Sequence, residues 1–352
     1  MIKSKYNVIG VMSGTSLDGI DLAYIKFENN SNWTFEIHAS ETIPYTDSWK
    51  QKLSNLVTYN LEDLKLIDKF YTIHLSHVIR DFIRKYQLSD IDAICSHGHT
   101  ALHQPEQLFT YQIGNLPSIS SLTNHLVVCD FRTQDVSLNG QGAPLVPIGD
   151  KLLFSAYDSC INLGGFANIS SEINSERIAY DICPVNIVLN RYANLLGFDY
   201  DDGGKIAKSG ILNQSLLQQL NSLDFYKQKA PKSLGVEWVD KHLFPLLETS
   251  QLSERDILRT MIEHIAIQIS NVIKVHSEVL FTGGGVYNSF LLDRIRTLKE
   301  FNLVKPSNTI IEYKEALIFG LLGVLKLRGE TNCLSSVTGA DYDHSSGEIY
   351  NV

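Results

Sequence analysis

The sequence predicts an α/β protein built from two related domains. Strand-like and helix-like segments alternate through both halves of the chain, as in the α/β class. β-prone runs at residues 8–12 and 20–27 flank a turn of Gly, Ser, Thr and Asp and predict a hairpin, and residues 160–171 repeat this arrangement. The length of 352 residues fits two domains of about 150 residues each. The paired hairpins indicate a duplicated fold, although two hairpins also occur by chance in chains of this size.

The first half continues from its hairpin with a helical region and two buried strands. Apolar residues recur at helical spacing over residues 61–86, so we expect one long helix or two in sequence. Apolar runs at 91–95 and 127–131 predict buried strands. The Gly/Pro-rich residues 138–147 predict a loop that acts as a hinge.

The second half alternates in the same way. Helices are predicted over residues 184–196, with Pro184 in the first turn, and over 258–275, from 288, and over 315–327. A strand at 278–282 leads into three consecutive glycines. We therefore expect domains of residues 1–145 and 146–352, with the final helix able to pack back on the N-terminal domain.

Composition excludes several classes of protein. Lys and Arg number 30 against 39 Asp and Glu, a formal net charge of −9 that argues against a sequence-independent grip on nucleic acid. No run approaches the ~18 apolar residues of a membrane-spanning helix. The five cysteines are odd in number and form no CxxC pair, so a disulfide framework and a structural zinc site are not expected. We expect a cytoplasmic protein with reduced thiols.

Three glycine-rich turns follow predicted strands and could hold phosphate groups. Residues 14–19 combine backbone donors, hydroxyls and a carboxylate, which suits phosphate oxygens and Mg²⁺. Gly164 and Gly165 form a second turn, and residues 283–285 form a third, where a flat ligand could lie against the backbone. Each turn alone is more simply a tight packing turn. All three together favour a nucleotide held between two related domains.

Two carboxylates, Asp181 and Glu315, lie at the end of a predicted strand and at the start of a predicted helix. Asp181 follows a predicted strand at 178–180 and precedes Pro184, a position that suits a general base. Taken by position alone, Asp181 is more simply a helix N-cap. Glu315 begins an apolar helix and has a similar alternative, because the helix dipole favours its charge there.

A histidine-containing loop and one cysteine complete the candidates. Residues 96–100 read SHGHT, but His97 and His99 would point to opposite faces of a strand and no fourth ligand is apparent. A polar substrate loop is therefore favoured over a zinc site. Cys183 lies close to Asp181 without an obvious base, so we interpret it as a packing residue.

The ordered motifs of the chain resemble those of the anhydro-N-acetylmuramic acid kinase family, within the hexokinase–actin–Hsp70 superfamily of ATPases. The resemblance covers nearly the entire chain. The motifs are GVMSGTSLDGID (10–21), SHGHTALHQP (96–105), YQIGN (111–115), DFRTQDV (130–136), NGQGAPLVP (139–147), INLGGFANIS (161–170), DDGGKIAKSG (201–210), APKSLGVEW (230–238), FTGGGVYNSFLL (281–292), KEALIFGLLG (314–323) and SVTGA (336–340).

The resemblance implies two domains of duplicated ribonuclease-H-like, actin-like topology with a cleft between them. It also implies a kinase that uses ATP and Mg²⁺, opens the 1,6-anhydro bridge of 1,6-anhydro-N-acetylmuramic acid with water and phosphorylates O6, giving N-acetylmuramic acid 6-phosphate in peptidoglycan recycling. A homodimer is expected only because dimers are the commonest oligomers of soluble proteins.

The resemblance also assigns residues. Asp181 corresponds to the catalytic base for water, and Asp18 to a metal-binding carboxylate. Substrate contacts fall to His97, Asp130, Asn186 and Glu315. ATP and its phosphates are assigned to Gly14, Thr15, Ser16, Leu17, Asp18, Gly19, Ile20, Asp21, Gly283, Gly284 and Gly285. Gly164 and Gly165 join this set from the second glycine-rich turn.

One segment departs from the family pattern Asp-Thr-Gly-Pro-Gly-Asn. Here Ile182 replaces Thr, and Cys183 and Val185 replace the two glycines. We expect added bulk near the phosphates and a backbone that can no longer take positive φ. Two other functions stay open on this basis: a kinase of another anhydro sugar such as levoglucosan, and a nucleotide-binding sensor without turnover.

Overall fold

A computed structural model describes residues 3–14 and 17–352 of the chain. The chain forms two compact units: Met1–Leu153 with Tyr313–Val352, and Phe154–Glu312. This division differs from the ranges 1–145 and 146–352, because the C-terminal residues add a helix and an edge strand to the first unit. We call these the first unit and the second unit.

The first unit contains the helices and strands that precede residue 154. Up to residue 153 they are β1 (Lys5–Ser13), β2 (Gly19–Asn29), β3 (Trp33–Pro44), α1 (Asp47–Ser54), α2 (Leu61–Lys85), β4 (Ala93–Ser96), β5 (His99–Gln104), β6 (Phe109–Ile113), α3 (Ser118–Thr123), β7 (Val127–Cys129), α4 (Thr133–Ser137) and α5 (Pro147–Leu153).

The second unit has its own sheet and helices. Its elements are β8 (Ser159–Leu163), β9 (Phe166–Ile173), β10 (Glu176–Pro184), α6 (Asn186–Leu195), α7 (Lys205–Ser209), α8 (Gln214–Asn221), α9 (Val236–Trp238), α10 (Phe244–Thr249), α11 (Glu254–Val272), β11 (Glu278–Thr282), α12 (Ser289–Leu298) and β12 (Asn302–Val304). The chain then runs through α13 (Asn308–Arg328), α14 (Ser335–Thr338) and β13 (Glu348–Tyr350). No helix of the described residues is both long and apolar enough to span a bilayer.

The two main sheets repeat one strand order, which confirms the duplicated ribonuclease-H-like topology. In the first sheet β1 pairs antiparallel with β2, β2 with β3, and β1 pairs parallel with β4, which pairs parallel with β7. In the second sheet β8, β9, β10, β11 and β12 take the corresponding places with the same directions. The first sheet carries β13 as an additional antiparallel edge strand.

The long helices follow the predicted apolar spacing, and polar caps set their starts. Asn60 precedes α2 and its side chain accepts the backbone N–H groups of Glu62 and Asp63 at 3.0 Å. Ser253 caps α11 in the same way. Each helix buries one apolar face in the core of its own unit.

The predicted start of α6 is wrong. Pro184 is the last residue of β10, where it pairs with Phe166, and the helix begins at Asn186 after Val185 in the cap position. Strand pairing extends past Asp181, so this carboxylate lies inside β10 and is not a helix cap.

A close backbone approach joins α13 to β1 within the first unit. A Cβ atom on Gly10 of β1 would lie 1.9 Å from the carbonyl oxygen of Ala316. A Cβ on Gly323 would lie 2.2 Å from Cys95 Sγ, and one on Gly320 would lie 3.0 Å from Ile25 Cδ1. The helix can therefore lie on the sheet only because these positions have no side chain.

The buried carboxylate of Asp135 connects three segments of the first unit. It accepts the backbone N–H of Gly142 at 2.7 Å, the hydroxyl of Thr338 at 2.7 Å and the thiol of Cys333 at 3.0 Å. His344 Nε2 lies 3.6 Å from the same carboxylate. Asp135 thus fastens the C-terminal residues to α4 and to the loop after it.

Replacing Gly10 with Ala should destabilise the protein strongly. The new methyl group would overlap the backbone of α13, and overpacking of this kind costs about 3 kcal/mol. Urea denaturation measures the effect. Gly165→Ala is the matched control, because the nearest atom to its new Cβ is 4.0 Å away. Equal stability of the two variants would contradict the close approach.

Replacing Asp135 with Asn should lower the free energy of unfolding by about 1–3 kcal/mol, because an amide cannot accept at both of its ends and leaves a buried donor unpaired. Thermal unfolding followed by circular dichroism tests this. Asp341→Asn serves as control, since that exposed carboxylate accepts one hydrogen bond from Asn139. A stability of Asp135→Asn within about 0.5 kcal/mol of the wild type would refute the role of Asp135.

Candidate active site

The first glycine turn joins β1 to β2 in the first unit. Leu17 has a φ of +60°, and its N–H donates to the carbonyl of Gly14 at 3.4 Å. Gly19 is held against the next strand, where a Cβ would lie 2.5 Å from the carbonyl oxygen of Ile43. The side chain of Ile20 is fully buried, so this residue can offer a ligand only its backbone. Thr15 and Ser16 lie outside the described residues.

A buried hydroxyl cluster supports the end of β1. Ser13 Oγ lies 2.7 Å from the hydroxyl of Tyr71, 2.5 Å from that of Tyr45 and 2.8 Å from His99 Nδ1. Burial lowers the pKa of His99 to about 4, so the ring is neutral at physiological pH. His99 therefore helps to hold the strand beneath the turn.

Two carboxylates border this turn. The side chain of Asp18 is exposed, and Asp21 is half-buried with its Oδ1 accepting the hydroxyl of Thr42 at 2.6 Å. Their oxygen atoms are the hard donors that Mg²⁺ prefers. The turn thus offers backbone donors and two carboxylates within a few residues.

The ring of His97 is buried and both of its nitrogens are engaged. Nδ1 lies 2.9 Å from the carbonyl oxygen of Gly98, and Nε2 accepts the Nε–H of Arg132 at 2.8 Å. Burial and the neighbouring Arg132 charge lower the pKa of His97 well below its ordinary value. Both ring nitrogens of His97 are therefore occupied by protein groups, and its substrate contact stays a prediction.

Arg132 connects several of the predicted groups. Its guanidinium donates to the carbonyl oxygen of Gly142 at 2.5 Å as well as to His97. Burial lowers the pKa of Arg132 to about 10, partly offset by the charge of Glu315, so the guanidinium remains protonated at neutral pH. Asp130 lies two residues before it, with φ +55° and with its Oδ1 accepting the hydroxyl of Thr133 at 2.6 Å.

Glu315 lies inside α13, two residues after the non-helical backbone of Tyr313. The sequence predicted that Glu315 begins this helix, and that prediction is wrong. Its side chain is exposed, while desolvation by the surrounding protein raises the pKa of its carboxyl against the opposing charges of Arg132 and Lys314. The adjacent Lys314 forms a buried ion pair with Asp150 at 2.6 Å, which fixes this turn of the helix.

The second and third glycine sites meet within the second unit. Asn186 begins α6, where its N–H donates to the carbonyl of Gly164 at 3.2 Å and its side-chain amide donates to that of Leu163 at 3.2 Å. Gly283 has a φ of +82°, and a Cβ there would lie 2.8 Å from Leu163. A Cβ on Gly285 would come within 2.7 Å of that same residue.

Two glycines of this group have open space beside them. A Cβ on Gly165 would have its nearest neighbour at 4.0 Å, and one on Gly284 at 3.8 Å. Both residues are exposed. The glycine group of the second unit therefore presents accessible backbone, as a ligand that lies flat against it requires.

Asp181 lies at a β-bulge in β10. Its partner across the strands is Asn168, while the following pair joins Cys183 to Ala167, so Ile182 is the extra residue. Asp181 Oδ2 accepts the backbone N–H of Leu234 at 2.8 Å and the hydroxyl of Ser233 at 3.2 Å. Oδ1 makes no hydrogen bond to the described part of the chain, so it is free to accept a proton.

Burial raises the pKa of Asp181, while the hydrogen bonds from Leu234 and Ser233 lower it. A carboxylate with a raised pKa is a stronger base once it is deprotonated.

The backbone at 182–185 avoids positive φ, as expected from the replacement of the two glycines. Neither Cys183 nor Val185 has a positive φ, and Val185 has φ −127°. Both side chains, together with Ile182, are buried in the apolar core of the second unit. Their bulk therefore fills the core. The prediction of Cys183 as a packing residue is confirmed.

Sequence reasoning missed two groups that the structure connects to the predicted residues. Arg132 and Ser233 both stand in motifs that carry the family resemblance, DFRTQDV and APKSLGVEW, but neither received a role. A hydrogen bond between residues 35 or 52 positions apart leaves no local pattern in a sequence.

Comparison with known proteins identifies relatives over the full chain. A family model described as anhydro-N-acetylmuramic acid kinase matches residues 6–352. A relative of that name from Mannheimia succiniciproducens is 34% identical, covering 99% of this chain and 100% of the relative. Another from Pasteurella multocida is 35% identical, covering 97% of this chain and 96% of the relative.

Similarity to solved structures is weaker. Component A of the (R)-2-hydroxyglutaryl-CoA dehydratase from Acidaminococcus fermentans is 13% identical with a TM-score of 0.47, covering 92% of this chain and 99% of that one. A likeness at this level supports no conclusion about function.

His97 should remain neutral between pH 6.5 and 8. Its pKa is lowered well below the ordinary histidine value of 6.5, so the protonated form appears only at a pH below that range. Long-range ¹H–¹⁵N spectra of histidine-labelled protein should show a protonated Nδ1 and an unprotonated Nε2, with the signal assigned by His97→Gln. A titration step of this ring inside that range would contradict the arrangement with Arg132.

Proposed function

The chain belongs to the anhydro-N-acetylmuramic acid kinase family, and we propose that it opens the 1,6-anhydro ring of 1,6-anhydro-N-acetylmuramic acid with water and transfers the γ-phosphoryl group of ATP to O6. Water adds to C1, the bond from C1 to O6 breaks, and O6 accepts the phosphoryl group. The products are N-acetylmuramic acid 6-phosphate and ADP. This reaction belongs to the recycling of peptidoglycan.

The arrangement of Asp181 is the observation that carries the proposal. Water becomes an effective nucleophile when a base accepts its proton during the attack. Asp181 has one oxygen held by Leu234 and Ser233 and the other without a partner in the described chain. We assign it the role of the base, with Oδ1 receiving the proton.

Phosphate binding is proposed for backbone groups of the glycine turns. In the first unit these are residues 14–21, and in the second unit Gly164, Gly165 and residues 283–285. Phosphoryl transfer depends mainly on alignment and charge neutralisation, which backbone donors supply without a basic surface. This suits a chain with a net charge of −9.

Asp18 and Asp21 are proposed to hold Mg²⁺, directly or through water. Both are oxygen donors at the turn, and the exposed side chain of Asp18 has no competing partner in the described chain. The ion would neutralise charge on the phosphates when bound.

Sugar contacts are proposed for Asn186 in the second unit and for Asp130 and Glu315 in the first. The exposed carboxylate of Glu315 can accept hydrogen bonds from sugar hydroxyl groups. His97 accepts a hydrogen bond from Arg132 at its Nε2, and we propose that it contributes to the sugar site by orienting the Arg132 guanidinium. Ile182, Cys183 and Val185 are buried in the core of the second unit, which supports a kinase over a sensor without turnover. We further propose that the enzyme acts in the cytoplasm and forms a homodimer.

An isotope experiment tests the reaction. Purified protein with Mg-ATP and the anhydro sugar in ¹⁸O-labelled water should yield the 6-phosphate with one ¹⁸O atom in the hydroxyl group at C1 and none in the phosphate. Mass spectrometry locates the label. The same assay with levoglucosan should give a much lower kcat/KM. Folded protein that forms no phosphorylated product from either sugar would refute kinase activity.

Asp181→Asn should lower kcat by at least about 10³-fold while ATP binding stays within a factor of three, because the amide cannot accept the proton of water. Steady-state kinetics and isothermal titration calorimetry measure the two quantities. Asp199→Asn, an exposed carboxylate of the same unit, is the matched control. If Asp181→Asn retains a tenth of the wild-type kcat, Asp181 is not the base.

A further inference from the structure

The loop of residues 230–235 is attached to Asp181 by backbone and side chain together. The N–H of Asp181 donates to the carbonyl of Lys232 at 3.0 Å. The next two residues of the loop then donate to the carboxylate, Ser233 from its hydroxyl and Leu234 from its backbone N–H. Three consecutive residues therefore define where this side chain lies.

The loop is itself fixed to the second unit. Lys232 donates from Nζ to the carbonyl of Phe225 at 3.0 Å, and the same ammonium group lies 4.3 Å from the centre of the Phe225 ring. The side chain of Leu234 is buried. The loop can thus act as a rigid support, which a positioning element requires.

Ionisable groups near Asp181 do not replace these donors. Cys183, on the same strand, is a buried thiol whose pKa is raised by burial and by the charge of Asp181, so it is neutral. The ammonium of Lys232 is directed at Phe225. Tyr226, whose pKa is raised by burial, is hydrogen-bonded to His264. Hydrogen bonding at the carboxylate therefore comes from Ser233 and Leu234.

We infer that Ser233 is a positioning residue for the general base: its hydroxyl holds Oδ2 of Asp181 so that Oδ1 is presented to the attacking water. This rests on the proposed function. The hydroxyl also favours the ionised carboxylate, because a hydrogen bond to the charged form stabilises it. Ser233 is itself exposed, so its removal leaves the core intact.

Ser233→Ala tests the inference through the pH dependence of the reaction. Loss of the hydroxyl raises the pKa of Asp181, and only the deprotonated form is a base, so the acidic limb of kcat/KM should move to higher pH. We expect a shift of about one unit and a fall in kcat of about tenfold, with the KM for ATP unchanged. Ser233→Thr keeps the hydroxyl and should restore both values to near those of the wild type.

Ser222→Ala is the matched control, because Ser222 is exposed just after α8 and its hydroxyl donates to the carbonyl of Gln219 in that helix. It should reproduce the wild-type profile. Either of two results would overturn the inference: an unshifted profile with wild-type kcat in Ser233→Ala, or equal losses in Ser233→Thr and Ser233→Ala. Should the alanine variant fail to fold, Ser233→Gly and Ser233→Thr provide the same comparison.

A second measurement separates this inference from the proposed function. ¹³C NMR titration of aspartate carboxyls, with Asp181 assigned from Asp181→Asn, gives its pKa without any turnover. A rise in Ser233→Ala supports the contact even if no anhydro sugar is phosphorylated, in which case only the proposed function fails. An unchanged pKa alongside an active wild type removes Ser233 from this role and leaves the kinase assignment intact.

Discussion

The contact of α13 with β1 organises the first unit. Gly10 has no side chain, so the carbonyl oxygen of Ala316 can lie close to the position that a Cβ atom would occupy. The helix therefore packs directly on the sheet. The residues immediately before Ala316 are thereby placed with it. Lys314 is drawn into its buried pair with Asp150, while Glu315 remains exposed. A helix that lies far away in the chain thus packs on a sheet built mainly from N-terminal strands.

The duplicated fold contains the same hairpin turn in each unit, but the residues around the two turns differ in chemistry. In each unit an antiparallel hairpin precedes the parallel strands, so a turn lies next to the first strand of the sheet. The first turn is bordered by Asp18 and Asp21. The second contacts Asn186 and the glycines that follow β11. An acidic chain can hold an anion in this way because backbone donors act at short range against an unfavourable overall field.

The environment of Asp181 combines two opposing effects. Burial disfavours its charged form, and the donors from the 230–235 loop stabilise that form without supplying a counter-charge. A cation in their place would depress the pKa much further and weaken the base. Cys183 and Val185, which follow Asp181 in the chain, are buried in the apolar core and likewise add no charge that would lower the pKa of Asp181.

The class of the fold, the hairpin at the start of each half and the long helices were predictable from the sequence, because the spacing of apolar residues and helix caps are local properties. The ordered motifs also indicated the family, and with it Asp181 and the glycine turns as candidates. Tertiary structure alone decided that Pro184 ends a strand, that residues 313–352 join the first unit, and that both nitrogens of His97 are engaged. It also decided which oxygen of Asp181 is free. Each of these depends on contacts between residues distant in the chain, whose free energies arise only when the sheets and the α13 helix are packed.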